Sequence, residues 1–248
     1  MLDKLRAIYR SELVYPSFLS VFINPFYFIR KGLWDGIKRN AHYMKGVMMD
    51  FGCADSPYRK VFHVDRFIGM DVVESGHEHN NEKIDVYYDG TNIPFEDKYF
   101  DSVLSTEVFE HIFNIDEILC ELNRVLKDGG HMLITVPFVW EEHEAPYDFG
   151  RYTTFGIEHL LNKSGFEVIV HEKNTNYVET VVQLWITYLC RSVLPKMRYI
   201  GPIVSTLVTC PLNILGITLS HILPKNYSLY HNSIIVARKQ AIVNGDKN

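Results

Sequence analysis

A chain of 248 residues, 47% of them apolar, can bury a full core, and one large domain with additions suits it better than two equal ones. The net charge of −5 is unevenly spread: residues 1–46 carry +5, residues 180–230 carry +4 with no acid, and residues 47–179 carry −16. So acidic a body repels phosphates and argues against a nucleic-acid partner, while Cys53, Cys120, Cys190 and Cys210 show no paired spacing, give no zinc pattern and, with no signal peptide, fit a reducing cytosol.

In chain order, residues 1–45 form a basic, aromatic-rich extension expected to be helical, as in Phe22-Ile23-Asn24-Pro25-Phe26-Tyr27-Phe28-Ile29-Arg30-Lys31. A buried strand near 46–51 then ends in Asp50 and opens into Gly52-Cys53-Ala54-Asp55-Ser56, where small residues let a ligand approach the backbone. A second strand at 66–71 ends in Asp71, a third is expected at 84–88 and a fourth at 100–105. The next helix, Ile115 to Leu126, carries Ile115, Ile118, Leu119, Leu122, Val125 and Leu126 on one face and is ended by Asp128-Gly129-Gly130. His131 to Val136 reads as the fifth strand; Thr154 caps a helix running to Leu161, and Phe166 to His171 is the sixth strand.

An apolar helical insertion at 175–230 precedes a last strand, Asn232 to Arg238, and a tail at 241–248 expected to be disordered. Strands alternating with helices predict an α/β doubly wound, mostly parallel sheet over a core at 46–174, rejoined by the last strand at 231–240. Tyr199 to Pro224 holds 26 residues without Asp, Glu, Lys or Arg, long enough to span a bilayer. One crossing would strand the last strand on the wrong side, and Gly201, Pro202, Pro211 and Gly216 interrupt the run, so two short surface helices are expected. The basic apolar flanks at 15–35 and 199–224 suit either anionic lipid or packing on protein, including a second copy of the chain as a homodimer.

In a doubly wound sheet the two carboxylate-tipped strands lie side by side, so a nucleoside can rest on the first loop and offer its ribose hydroxyls to Asp71. The order Asp50-Phe51-Gly52-Cys53-Ala54, Gly69-Met70-Asp71, Ile93-Pro94-Phe95, Phe100-Asp101-Ser102-Val103, Glu107 to His111 and Leu122-Asn123-Arg124-Val125-Leu126-Lys127-Asp128-Gly129-Gly130 resembles a class I S-adenosylmethionine-dependent methyltransferase. The resemblance covers about residues 46–172 and the last strand, and implies a seven-stranded sheet with that strand antiparallel. It implies S-adenosylmethionine as cofactor, with Asp50, Gly52, Cys53 and Ala54 at the methionine end, Asp71 at the ribose, Asp89 and Gly90 at the adenine, and Thr106 nearby. Ala54 and Ser56 stand where the family often has glycine. The alternative for Asp50 and Asp71 is capping of adjacent turns, and for Asp89 a turn before Gly90.

Glu107, Glu110 and His111 fall at spacings of three and four, expected to share one face of a helical turn. The pattern resembles that of small-RNA 2′-O-methyltransferases and ubiquinone-pathway O-methyltransferases, where it holds a divalent metal. The reading taken here is no metal, with Glu107, Glu110 and His111 as the lesser alternative, since oxygen-rich sites need more ligands than this segment offers. Glu107 and His111 remain catalytic candidates, and the long loop 137–153 adds His143 as general base. There Arg151 is a catalytic or substrate clamp for an anion, while Tyr147, Asp148 and Tyr152 are substrate contacts; the alternative is an Asp148–Arg151 ion pair holding the loop. This loop and the apolar insertion resemble methyltransferases of bacterial surface-glycan pathways. The expectation is therefore O-methylation of a glycan or lipid-linked sugar by a cytoplasmic enzyme peripheral to the inner membrane face. The rivals are a small hydrophobic quinone-like or phenol-like acceptor and a non-catalytic binding module.

Overall fold

The computed structural model describes residues 2–73, 84–195 and 200–241, so the tail at 242–248 lies outside the described residues. The chain forms two compact units, Ile37–Glu172 with Ser233–Asn248, and Met1–Gly36 with Lys173–Asn232.

The first unit is built on β1 (Val47–Phe51), β2 (Arg66–Val72), β3 (Val86–Tyr88), β4 (Phe100–Thr106), β5 (Leu126–Pro137), β6 (Phe166–Lys173) and β7 (Asn232–Lys239). Their order across the sheet is β3-β2-β1-β4-β5-β7-β6, with β1 to β5 paired in parallel and the β7/β6 end antiparallel. Unbroken apolar runs suit strands covered on both faces: Met48 and Met49 in β1 and Ile234 to Ala237 in β7 are wholly buried. The helix Ile115–Val125 turns Ile118, Leu119, Leu122 and Val125 into the same core. Since β1 lies between β2 and β4, the strand order reverses there, and the crevice that results opens at the carboxyl ends carrying Asp50, Asp71 and Thr106.

The family-like motifs are largely the fasteners of this sheet. Arg124 donates to the Ile93 and Phe95 carbonyls at 2.9 and 2.8 Å, and Glu121 accepts from Ile93 N at 2.9 Å, pinning the Ile93-Pro94-Phe95 turn. Asp101 accepts from Val47 N at 2.8 Å and pairs with Lys127 at 2.7 Å, fixing the start of β1.

Two expected boundaries are corrected. The helix stops at Val125 and β5 begins at once, so Asp128-Gly129-Gly130 is not a helix terminator but an irregularity within the strand. The register jumps there from Phe100–Leu126 to Ser102–His131, with Gly129 at φ 72° supplying the left-handed backbone that the bulge requires. The next helix, Thr154–Lys163, is capped by Thr153, whose side chain accepts from Gly156 N, rather than by Thr154.

In the helical unit α1 is Leu2–Val14, α2 Ser20–Ile23, α3 starts at Tyr27 and runs on to Asn40 in the sheet-bearing unit, and α4 and α5 are the two sheet helices just given. A capping box of Asn176 and Glu179 opens α6 (Tyr177–Tyr188). The two short helices expected over 199–224 are instead one, α7 (Ile200–Ile222), with Pro211 inside it. Packing offsets the lost backbone bond: Asn213 Nδ2 donates to the Val21 and Asn24 carbonyls at 3.0 and 3.1 Å. Gly216 lets Phe28 and Val182 close in, since a Cβ there would lie 2.6 and 2.9 Å from their side chains. Val204–Ile222 is long and apolar enough to cross a membrane, yet β7 follows it and sits between β5 and β6 in the sheet.

Candidate functional site

The loop after β1 adopts a glycine-type backbone at three places, Gly52 at φ 71°, Ala54 at 41° and Ser56 at 47°. At Gly52 a Cβ would fall 2.4 Å from Val108, so glycine is required. Ala54 and Ser56 hold a left-handed conformation without glycine's freedom, at a cost of about 1 kcal/mol each. Gly52 N and Cys53 N both donate to Met70 O, at 2.8 and 3.1 Å. Ala54 N donates to Asp71 Oδ2 at 2.9 Å and Val72 N to Asp71 Oδ1 at 2.8 Å, which fixes that carboxylate across the loop.

Gly52, Ala54, Asp71, Val72, Tyr88, Thr106, Glu107, Val108, His111, Ile112 and Glu144 line an open cleft. Asp50 and Cys53 lie buried beneath it, the Cys53 thiol against Gly69. Burial, and then the charge of Asp71, pushes the Asp50 carboxyl up to about 7 against a Ser56 hydrogen bond and Arg59. Asp89 takes its turn role: one carboxylate oxygen accepts from Thr91 N, Thr91 Oγ1 and Asn92 N, each at 2.8 Å, and the carboxyl is held down at about 2. Neither Asp89 nor Gly90 lines the cleft; Tyr88 and Val72 do, and sequence reasoning missed both because an apolar or aromatic strand end carries no motif of its own.

At the end of β4, Glu107 sits at φ 56°, its N–H 3.0 Å from Thr135 O and its Oε1 2.7 Å from the Thr135 hydroxyl. Phe109–His111 is a single tight turn, so the expected shared face is corrected: Glu107 and His111 reach the cleft while Glu110 turns fully into the interior. Neither Glu110 carboxylate oxygen has a hydrogen-bond partner among the described residues. Burial, reinforced by the charge of Glu107, lifts its pKa well above the carboxylate range.

The long loop closes over this turn, Phe149 N and Gly150 N donating to Glu110 O at 2.7 and 3.1 Å. His111 Nδ1 lies 2.6 Å from Tyr147 O, and its Nε2 lies 3.7 Å from Glu110 Oε1 and 3.9 Å from Glu144 Oε2. His143 does not line the cleft; its ring meets His111 edge-on with centroids 4.7 Å apart. Arg151 spends its donors inside the loop, on Asp148 at 2.5 and 2.7 Å and on the Trp140, Glu141 and Gly150 carbonyls. That is the structural ion pair, and it leaves no donor for the anion clamp expected of Arg151. Tyr152 donates to Phe109 O at 3.2 Å, and Tyr147 is 39% exposed.

A glycine-type loop, a carboxylate at the neighbouring strand end and a cleft walled by acids define a nucleoside site suited to a ligand carrying positive charge. Residues 49–134 match a family model described as a methyltransferase domain. A chain of Encephalitozoon cuniculi that carries the name methyltransferase is 30% identical over 178 residues, 57% of this chain and 81% of that one. A phthiotriol/phenolphthiotriol dimycocerosates methyltransferase of Mycobacterium ulcerans is 34% identical over 82 residues, 31% of this chain but only 30% of that protein's length. The structure of an S-adenosylmethionine dependent methyltransferase from Mesorhizobium loti shares the fold, with a TM-score of 0.51 at 11% identity and coverage of 86% and 100%. The chain belongs to the S-adenosylmethionine-dependent methyltransferases, with S-adenosylmethionine as its cofactor. The residues present fit that cofactor, because Asp50, Asp71 and Glu107 oppose its positive charge and Ala54 and Gly52 leave the loop bare.

Proposed function

We propose that this enzyme transfers methyl to a hydroxyl oxygen of a glycan or lipid-linked sugar at the cytoplasmic face of a membrane. The observation that carries this reading is the surface of the helical unit. By sequence, the segments of that unit hold ten Lys and Arg against four Asp and Glu, while those of the sheet-bearing unit hold fifteen against twenty-six. Along α6 the helical unit exposes Tyr177, Val181, Trp185 and Tyr188, and along α7 Leu207, Leu215 and Ile222. Basic charge with exposed aromatic and aliphatic side chains suits an anionic lipid surface. The name of the mycobacterial relative, a methyltransferase of lipids, agrees in kind.

When bound, S-adenosylmethionine supplies a methyl group on a sulfonium whose charge is lost on transfer. Asp71 holds the ribose side of the cleft, and the Gly52–Ala54 backbone admits the ligand closely. The acceptor's hydroxyl proton has to leave, and His111 is the imidazole at the cleft wall. Tyr147 O can only accept, so the His111 proton sits on Nδ1 and Nε2 is left as the base. His143, held by Asp148 at 3.3 Å, is a positioning residue beside it.

Labelled methyl transfer to a lipid-linked sugar in anionic vesicles tests this. Wild type labels the vesicle-borne acceptor; Leu207→Glu with Ile222→Glu labels it only when detergent disperses the lipid, and His111→Ala loses about a hundredfold in both formats. Transfer only to soluble phenols, or equal transfer by the α7 variant in vesicles, contradicts the reading.

A further inference from the structure

We infer that the paired rings of Phe113 and Phe149, at the rim of the methyl-transfer cleft, form a subsite on which the apolar face of a pyranose ring of the acceptor stacks. The inference rests on the proposed glycan acceptor and specifies how this chain holds it, away from the reacting hydroxyl.

Both rings are set by the turn that brings His111 to the cleft. Phe113 follows His111 and Ile112, which line the cleft, and its Cα lies within about 7 Å of that of His111. Phe149 N donates to Glu110 O at 2.7 Å, and the long loop so anchored sets the Phe149 ring edge-on to Phe113, with centroids 5.4 Å apart. The residues on either side of Phe149 are tied down as well. Asp148 pairs with Arg151, which donates to Gly150 O at 2.8 Å. A platform ordered in advance costs little further entropy when a ligand arrives.

Packing does not account for the pair. Phe113 stands just before Asn114, the N-cap of α4, where an apolar side chain often folds back as a staple onto the residue four into the helix, here Ile118. Phe113 is instead 82% exposed, and Phe149 is 47% exposed. Two phenyl rings held in water at the rim of a cleft mark a contact surface rather than core.

The surroundings select the occupant. Glu141 and Glu142 in the same loop, and Asp116 and Glu117 in the first turn of α4, are exposed acids. They repel anionic lipid headgroups and interrupt the continuous apolar surface that a hydrocarbon chain needs. A small cation is best held by rings that close around it, whereas a side chain as exposed as Phe113 makes an open shelf. A sugar ring fits both conditions. The C–H bonds of one face lie on the electron-rich face of a phenyl ring, and the hydroxyls turn outward to carboxylates and water. The acceptor contact expected of Tyr152, whose hydroxyl is engaged by Phe109 O, thus passes to two phenylalanines that belong to no motif.

The test is saturation-transfer NMR of the full chain, with S-adenosylhomocysteine present, on methyl glycosides of glucose, galactose and mannose. Hexanol and tetramethylammonium serve as apolar and cationic comparison probes. Wild type should saturate the C–H protons on one face of at least one glycoside, and Phe113→Tyr should keep that signal. Phe113→Leu, apolar but without a ring face, and Phe113→Ala should each lose it at least about fivefold while S-adenosylhomocysteine binding stays intact. Phe149→Ala should do the same; should that variant lose S-adenosylhomocysteine binding, the Phe113 series decides. No saturation of any glycoside by wild type, equal saturation in Phe113→Leu or Phe113→Ala, or a Phe113-dependent signal from hexanol or tetramethylammonium in place of the glycosides overturns the subsite. The vesicle assay separates this from the proposed function. Glycosides bound at Phe113 without methyl transfer to lipid-linked sugar would strike the proposed reaction and leave the subsite, whereas transfer by Phe113→Ala at an unchanged KM would leave the reaction and overturn the subsite.

Discussion

Gly52 and Ala54, two residues apart, call for opposite substitutions. Ala54 already occupies the left-handed region at φ 41°, so Ala54→Gly relieves strain and is expected to stabilise the protein by up to about 1 kcal/mol, net of the unfolded chain's entropy. Gly52→Ala adds a Cβ 2.4 Å from Val108 at φ 71° and is expected to cost about 2–4 kcal/mol; thermal unfolding of the two variants reads both signs. Asp50 gives a second prediction. Its folded pKa of about 7 lies above the ordinary 3.8, so its contribution to ligand-free stability is full below that ordinary value and is lost as pH rises through about 7. A cationic ligand reverses the preference by favouring the ionised carboxylate. S-Adenosylmethionine affinity should therefore rise between pH 6 and 8, by up to about tenfold per pH unit below the pKa, and Asp50→Asn should flatten the profile. The sequence marked Asp50, Gly52 and Asp71 because strand-end acids and a small-residue loop leave a pattern. It did not mark Tyr88, Glu144 or Thr135, whose roles come from the neighbours the fold gives them.

At the scale of elements, most strands were legible because each is a short apolar run between turn residues, and the parallel order followed from their alternation with helices. Two local errors share a cause. Asp128-Gly129-Gly130 looks like a helix stop, yet glycine serves a strand bulge equally well, and only pairing with β4 distinguishes them. Likewise Pro211 looks like a break, but the Asn213 bonds to Val21 O and Asn24 O, made across more than 180 residues of chain, hold one continuous helix. The Arg124 fan is the element-scale fastener that yields a test. Its bonds to Ile93 O, Phe95 O, Glu121 and Asp97 join the turn before β4 to α4. Arg124→Ala is expected to lower stability by about 1–3 kcal/mol in denaturant titration, with the Asp71 side of the cleft intact, whereas an exposed Lys225→Ala control should move it by less than about 0.5 kcal/mol.

Across the whole molecule the chain divides its chemistry by charge. The acidic sheet-bearing unit carries the cleft, and the basic helical unit carries the exposed apolar faces of α6 and α7. Composition already foretold that division, since the excess of acid falls between residues 47 and 179 and the flanks are basic. The gathering of Glu110, His111 and His143 could not be foretold, because it depends on a loop folding back over a turn some thirty residues earlier in the chain. Everything proposed for the acceptor depends on the cleft at β1 and β2 being the cofactor's seat. Calorimetric titration of wild type and Asp71→Asn with S-adenosylhomocysteine tests that seat most directly. Saturable binding by wild type, weakened at least about tenfold in the variant, is the predicted result; equal binding by both would contradict the assignment of Asp71 and of the cleft.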